Sequence, residues 1–266
     1  VESFTAIIRR EELSNNLDAF RLGREFVIQN KHEYPEKLKI RLDTSPYQQS
    51  IADSMMPYHH KNIVIEIYLK QVNRLILYLP LINPNHIARY VHDIYIFDRG
   101  THIEDFISNA FELKTRYKNT DHLKIALRVL AKTYFIKDEV MVSHLMISPI
   151  HTLPMDNKFN KFSTSYKREF INRPSFDILG MKIEFNMSPK IWMLKVMRQL
   201  RILRILLPYW HRKERSISKH IRNEVLAETH KLKNNDDQYQ ALMRLDNVKG
   251  YRKIRYDKAA INLGLS

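Results

Sequence analysis

Apolar residues recur every three or four positions through most of this chain, and several of these periodic stretches begin at helix-start signals. Ser45-Pro46 and Asn83-Pro84 each place a capping residue before a proline, which suits the first position of a helix. Thr101 and Glu104 have the spacing of a capping box, and Gly100 stands where the preceding helix would end. The spacing therefore predicts a mostly α-helical, multi-helix fold.

Residues 149–190 interrupt this helical pattern. Prolines stand at positions 149, 154, 174 and 189, and the content of Asn, Lys, Ser and Thr rises. Met181, Ile183 and Phe185 alternate with other residues, which predicts a small β element, a strand or hairpin arm, near 175–187. We expect the remainder of this region to be an exposed loop.

These patterns divide the chain into successive parts. Residues 44–148 are the predicted helical part, 149–190 a loop or β insertion, and 190–266 a set of basic C-terminal helices. We expect the first of those helices to begin at Ser188-Pro189 and to continue to about Leu207, because a proline follows at position 208.

The composition excludes several kinds of catalytic and metal site. The chain has no cysteine, which excludes disulfides, thiolate-ligated iron–sulfur clusters and a cysteine nucleophile. The sequence also has no GxGxxG, P-loop, HExxH or GxSxG motif. The pairs His59-His60 and His86/His92 lack the i, i+4 spacing with a third ligand that zinc requires, so we expect no metal site.

Asp138 and Glu139 are the acidic pair that most resembles a general acid and base. Adjacent side chains on a helix point about 100° apart, so these two carboxylates cannot easily share one substrate. A local salt bridge with Lys132 or Lys137 is the expected role, and acid–base chemistry is the alternative.

Two long apolar runs, 63–81 and 191–207, are both interrupted by charged residues. Repeated charges in this position argue against a membrane span, so we expect a cytoplasmic protein. The sequence begins at Val1, already inside a helical pattern, and we expect it to be part of a longer polypeptide.

The segment Asn16–Arg24 combines a predicted apolar helix face with a glycine on that face. Gly23 follows Phe20 at i+3, and a glycine inside a helix costs roughly 1 kcal/mol relative to alanine, so we expect a close backbone approach there. Its pattern N-x-x-A-F-R-x-G-R resembles the segment that closes the gamma-type domain of indolepyruvate (2-oxoacid) ferredoxin oxidoreductases. Arg21 and Arg24 flank the glycine and are candidate partner contacts, with two solvated arginines as the alternative.

Four later stretches resemble the same family in the same order. Residues 132–145, KTYFIKDEVMVSHL, resemble the family's K-L-M-A-Y-K-D-E-Y-E-V-A-R-L. Phe185–Pro189 resembles F-H-L-A-P, and the basic apolar helix that begins Trp192-Met-Leu resembles W-M-L-x-A-F-R-L-L-A-R-L. Residues 248–255 resemble I-R-G-F-G-H-V-K. The resemblance implies that residues 1–30 end a gamma-type oxidoreductase domain and that the rest forms the helical domain after it.

The resemblance also implies a function for the parent enzyme. Such an enzyme decarboxylates an aryl 2-oxoacid, passes electrons to ferredoxin and forms an acyl-CoA. Thiamine diphosphate, magnesium and the iron–sulfur clusters are expected in other parts of it, so we predict no catalytic, cofactor-binding or metal-binding residue in this segment. The implied partners are the remaining domains or subunits of the oxidoreductase and ferredoxin.

The C-terminal part is strongly basic, which indicates an acidic partner or a solvated surface. Its last 78 residues hold 18 Lys and Arg against 7 Asp and Glu, and they supply +11 of the formal net charge of +15. Three interpretations stay open: a solvated surface, docking to ferredoxin or to an acidic face of the same enzyme, and phosphate contact in a free-standing basic nucleic-acid-binding protein. The candidate partner contacts here are Arg198, Arg201, Arg204, Arg212 and Lys219.

Overall fold

A computed structural model describes residues 42–54, 61–159, 175–178, 181–184, 188–207, 209–232, 234–250 and 253–265. Most of these residues are helical, which confirms the predicted fold class. Several predictions lie outside the described residues: Gly23, Arg21 and Arg24, the proposed end of a gamma-type domain at 1–30, and the pair His59-His60.

Seven helices precede the β element in the described chain. They bury a continuous core from Ile51 in the first to Met141 in the sixth. Full burial of a leucine, isoleucine or phenylalanine stabilises a fold by roughly 1.5–3 kcal/mol, so this core holds the helices together. The helices are α1 (Ser45–Ser54), α2 (Lys61–Tyr78), α3 (Pro84–Asp98), α4 (Ile103–Arg116), α5 (Thr120–Lys132), α6 (Glu139–Ile147) and α7 (Pro149–Phe159).

The start signals were right for α3 and wrong for α4. Asn83 caps α3, because its side chain accepts from the backbone N–H of Asn85 at 2.9 Å and Pro84 follows. The predicted capping box of Thr101 and Glu104 is not formed: α4 begins at Ile103 and the Glu104 side chain bonds to α2 instead. Gly100 has φ +86° and lies between α3 and α4, as its position predicted, but the residue that caps the end of α3 is Arg99, at φ +62°.

The region 149–190 contains more regular structure than the sequence predicted. Residues Pro149–Phe159 form α7, which packs against α1 and α6, so the prediction of a loop there is wrong. Pro149 occupies the first helical position, where its missing N–H costs nothing, instead of breaking the chain. An antiparallel hairpin of β1 (Ser175–Ile178) and β2 (Met181–Glu184) lies where the β element was predicted, with Phe176 opposite Ile183.

The C-terminal part is helical but interrupted. The predicted single helix to about Leu207 is instead α8 (Ile191–Met197), a 3₁₀ turn (Leu200–Ile202) and α9 (Leu203–Leu206). Then come α10 (Arg212–Asn223), a π-helical turn (Glu224–Glu228), a 3₁₀ turn (Thr229–Lys231), α11 (Asn235–Asn247) and α12 (Lys253–Leu263).

These C-terminal helices complete the same core as the first seven. Ile217, Ile221 and Leu242 are buried in one cluster with the residues of α2 to α5. The Tyr117 hydroxyl donates to the carbonyl of Val225 at 3.1 Å, which fixes the π-helical turn against α4. Residues 42–266 therefore form one compact unit.

Candidate docking interface and its inward-facing arginines

The segment 191–209 has its arginines turned inward and most of its large apolar side chains turned outward. Arg198 is only 9% exposed, whereas Trp192 is 62% and Ile205 80% exposed. Leu194, at 1%, anchors α8 against α6. Arg198, Arg201 and Arg204, the candidate partner contacts of this segment, are therefore buried or partly buried and do not form an open solvated surface.

Arg204 explains part of this reversal, because it neutralises a carboxylate that is completely buried. Its Nε and Nη2 lie 2.6 and 2.8 Å from the two carboxylate oxygens of Asp138, a bidentate pair. Asp138 Oδ1 also accepts from the backbone N–H of Met141 at 2.8 Å and so caps α6. The guanidinium lies 3.9 Å from the ring centroid of Phe97 and donates to the carbonyl of the same residue.

Glu139, the neighbour of Asp138, has a second buried partner from the C-terminal part. His211 Nε2 lies 2.9 Å from its carboxylate, and His211 Nδ1 lies 3.1 Å from the carboxylate of Glu214. Burial by itself lowers the pKa of His211, but the hydrogen bond to Glu139 and the carboxylate of Glu214 outweigh it and raise that pKa to about 9. His211 is therefore a charged link between α6 and α10.

The predicted salt bridge of Asp138 or Glu139 with Lys132 or Lys137 is not what the structure contains. Lys132 instead lies 2.9 Å from Asp246 on α11, a carboxylate that also pairs with Arg128 and Lys249. Asp138 and Glu139 pair with residues about 70 positions further along the chain. Spacing along one helix cannot indicate partners at that distance. Both carboxylates are buried and paired, so neither is presented to a substrate as a general acid or base.

Arg198 and Arg201 have no comparable partner. Arg198 Nε and Arg201 Nη1 are buried and have no hydrogen-bond acceptor among the residues that the structure describes. Burial, and then the neighbouring guanidiniums of Arg99 and Arg204, lower the pKa of Arg201 to about 10.

Arg212 and Lys219 lie where the sequence predicted, on the solvent side of the protein. Both are exposed on α10, seven residues apart and hence on the same side of the helix. Exposed Lys213 lies beside them, with its ammonium 5.1 Å from the ring centroid of Tyr256. Arg222, further along α10, turns inward and donates to the carbonyl of Thr133 at 2.8 Å.

The outward side of 191–209 is the largest run of exposed apolar residues on consecutive elements in the described C-terminal part. We call it the apolar surface; each of its seven members is more than half exposed: Ile191, Trp192, Val196, Ile202, Ile205, Leu206 and Tyr209. Monomeric proteins rarely expose contiguous apolar patches of this kind unless they bind something. The inward-facing arginines leave this surface without a covering layer from the described part of the chain.

A buried polar network near α1 could not be recognised from the sequence. Ser50 Oγ lies 2.9 Å from His92 Nε2, 2.8 Å from His144 Nε2 and 2.8 Å from the Ser148 hydroxyl, while His92 Nδ1 lies 2.9 Å from Asp93. If His92 donates to Asp93, Ser50 donates to His92 and accepts from His144 and Ser148, which satisfies every lone pair and proton of the serine.

This network has the residue types of a catalytic triad but not the access that catalysis requires. Ser50 and His92 are 0% exposed, so the hydroxyl reaches no substrate. Burial is the main cause that lowers the pKa of His144 to about 2, so His144 is neutral. We interpret the network as structural: it joins α1, α3, α6 and the start of α7.

Comparisons with protein-family models, with curated proteins and with solved structures find no match to this chain. In the described ranges, no group of three His, Cys, Asp or Glu side chains is arranged to hold a metal ion. None of the described helices combines the length and the hydropathy needed to cross a membrane.

Proposed function

We propose that this chain is a non-catalytic helical segment of a thiamine-diphosphate-dependent indolepyruvate (2-oxoacid):ferredoxin oxidoreductase, with a structural or acceptor-docking role. The resemblance of five ordered sequence stretches supplies the family. The observation that carries the docking role is the apolar surface of 191–209, which is exposed while its arginines are internally engaged or buried.

The proposed occupant of the apolar surface is another domain or subunit of the same oxidoreductase. Interfaces between domains and subunits bury apolar and aromatic side chains at their centre and keep charges at the rim. Trp192 and Tyr209 are the residue types that anchor such interfaces, and both are largely exposed. Exposed Arg212 and Lys219 would then contact acidic groups of ferredoxin or of the parent enzyme, where they contribute mainly to orientation and association rate.

The proposed location is the cytoplasm, where the parent oxidoreductase would meet ferredoxin. The absence of cysteine fits a compartment in which disulfides do not contribute to stability.

Binding to nucleic acid is the competing function, and the inward turn of three arginines weighs against it. The backbone phosphates of a duplex are contacted by side chains that project from the protein surface, and Arg198 and Arg204 are buried or paired with Asp138. Arg212 and Lys219 remain available for such contacts, so the two functions are separated by experiment.

The two tryptophans of the chain make the test specific, because only Trp192 lies on the apolar surface. In a Trp210→Phe variant, Trp192 is the single tryptophan reporter. We expect its emission to shift to shorter wavelength when the thiamine- and cluster-bearing part of an indolepyruvate ferredoxin oxidoreductase is added. A 20-base-pair DNA duplex added at the same ionic strength is expected to leave the emission unchanged.

Matched substitutions locate the contact. Ile205→Lys places a charge in the apolar surface and is expected to weaken binding at least about tenfold, which corresponds to 1.4 kcal/mol. Leu77→Lys is the control, because Leu77 on α2 is equally exposed, 82% against 80%. Equal weakening by both substitutions, or tight DNA binding that ferredoxin and the enzyme do not displace, would contradict the proposal.

A further inference from the structure

Three arginines lie around Arg201, and the four together have too few carboxylates to balance them. Arg201 lies within the electrostatic range of Arg99, Arg198 and Arg204, and of one carboxylate, Asp98. We call the four guanidiniums the arginine cluster. It is formed by the end of α3, the residue after α8, the 3₁₀ turn and α9.

The two carboxylates at the cluster are already engaged. Asp138 is bound bidentately by Arg204. Asp98 accepts from the backbone N–H of Gly100 at 2.9 Å and from that of His102 at 3.2 Å, and it pairs with the His102 ring. Four positive charges against two negative ones leave an excess of +2 at this position.

Two buried donors of the cluster lack an acceptor within the described part of the protein. They are Nε of Arg198, a residue that is 91% buried, and Nη1 of Arg201. A buried N–H without an acceptor is destabilising, and a water molecule could accept the hydrogen bond but could not balance the excess charge of the cluster. Arg99 is exposed, so the cluster extends from the protein surface to Arg198 in the interior.

We propose that the arginine cluster is a binding site for a dianionic phosphate group, either inorganic phosphate or the phosphoryl group of a phosphomonoester. A dianion matches the excess of +2, whereas a carboxylate would cancel only half of it. The planar guanidinium donates two parallel N–H groups to phosphate oxygens, which a lysine cannot do. The lowered pKa of Arg201 agrees with a cation that lacks its counterion.

The test measures thermal unfolding of the full chain in chloride, acetate, inorganic phosphate and adenosine 5′-monophosphate, all at one pH and one ionic strength. We expect the midpoint to rise in phosphate and not in acetate. A larger rise in adenosine 5′-monophosphate than in phosphate assigns the site to a phosphomonoester; an equal or smaller rise assigns it to the free ion. Identical midpoints in all four salts would overturn the proposal.

Substitutions test the residues, with calorimetric titration of inorganic phosphate as the second measurement. Arg198→Gln and Arg201→Gln should each weaken phosphate binding about tenfold or more, because each removes a charged donor. Arg212→Gln removes an exposed arginine outside the cluster and should leave the affinity within about twofold. Equal loss in the control and in the cluster variants would refute the assignment.

The same variants give a second readout in phosphate-free buffer. Because Arg198 Nε is buried without an acceptor among the described residues, Arg198→Gln is expected to raise the unfolding midpoint there and to lose the phosphate-dependent rise. If either glutamine variant does not fold, Arg201→Lys keeps the charge but removes the planar fork, and it should still weaken phosphate binding. A lower midpoint for Arg198→Gln together with unchanged phosphate affinity would contradict the site.

Discussion

Two adjacent acidic residues, Asp138 and Glu139, connect the N-terminal helices to the C-terminal part. Each is buried at the start of α6, and each is neutralised by a residue that follows the β hairpin, Arg204 or His211. A buried carboxylate without its cation is strongly destabilising, so these pairs determine which side of 191–209 faces inward.

The pair of Arg204 and Asp138 is the contact whose loss should cost most. Arg204→Met leaves the Asp138 carboxylate buried without its cation, so we expect a loss of about 3–5 kcal/mol in the free energy of unfolding. Urea denaturation measures it. Arg212→Met is the exposed control and should change stability by no more than about 0.5 kcal/mol. A loss for Arg204→Met no larger than that of the control would show that the pair does not hold the segment.

His144 makes the fold sensitive to acid. Its pKa is about 2 in the folded state, below the usual value near 6.5, so the unfolded chain binds the extra proton between these values. Stability from this residue is complete above about pH 6.5 and falls as the pH drops towards 2, by about 2 kcal/mol at pH 5. Between pH 7 and pH 5, the free energy of unfolding should change less in His144→Gln than in the unsubstituted chain. His220→Gln, which replaces a partly exposed histidine, is the control and should keep the full pH dependence.

His211 has the opposite pH dependence. Its pKa is raised to about 9, so the folded state holds a proton that the unfolded chain releases above about 6.5. The contribution is complete below pH 6.5 and is lost as the pH rises through 9. His211→Asn suits the left-handed backbone at φ +56° and should remove this decline between pH 7 and 9. An unchanged alkaline slope in that variant would show that His211 is not the group that titrates.

At the scale of the helix, α8 carries apolar residues both on its buried side and on its exposed side. One side packs on α6 through Leu194, the end of that side carries the buried Arg198, and the other side exposes Trp192 and Val196. A helix normally turns its apolar side to the core and its charges to water. This one divides its apolar residues between the core and a surface that we propose to be an interface.

Two neighbouring residues of α8 test this division. Leu194→Ala should lower the free energy of unfolding by about 2–5 kcal/mol, because a fully buried leucine leaves a cavity. Val196→Ala, two residues away and 52% exposed, should change it by no more than about 0.5 kcal/mol in the isolated chain. Denaturant unfolding of both variants measures the difference, and similar losses for the two would mean that α8 is also covered on its outer side.

At the scale of the molecule, residues 42–266 share one core, so the basic C-terminal part is not an appendage. Ile217, Ile221 and Leu242 are buried with the helices α2 to α5, and Asp246 on α11 is bound by Arg128 and Lys132 of α5. Removal of this part would expose the inner side of α5 to water.

A chain truncated after residue 189 is therefore expected to lose cooperative unfolding. Its near-ultraviolet circular dichroism should disappear and it should bind a hydrophobic dye, because apolar core surface becomes exposed. The full chain should unfold residues 42–266 in one transition, with circular dichroism and tryptophan fluorescence changing together. A truncated chain that keeps a sharp transition would show that the first seven helices fold by themselves.

The local features of this fold could be predicted from the sequence. Apolar spacing and short-range capping identify the helices, because a cap such as Asn83 acts on a backbone N–H only two residues away. The β hairpin was placed correctly for the same reason, since alternation is a property of neighbouring residues. The predicted capping box at Thr101 does not form because the Glu104 side chain bonds to α2. Helix α7 could not be predicted from Pro149, because a proline is equally compatible with a helix break and with the first position of a helix.

The sequence by itself determined the helical class, helix starts such as Asn83-Pro84, the hairpin and the basic charge of the C-terminal part. Only the tertiary structure decided which way that part faces. Spacing shows that Arg198, Arg201 and Arg204 share one side of a segment, but the choice between solvent and interior depends on the carboxylates that lie opposite. Asp138 and Glu139 precede their partners by about 70 residues, and a buried charge must be paired wherever the fold brings the opposite charge close. That requirement turned Arg204 inward, while the apolar side chains on the other side of 191–209 stayed exposed.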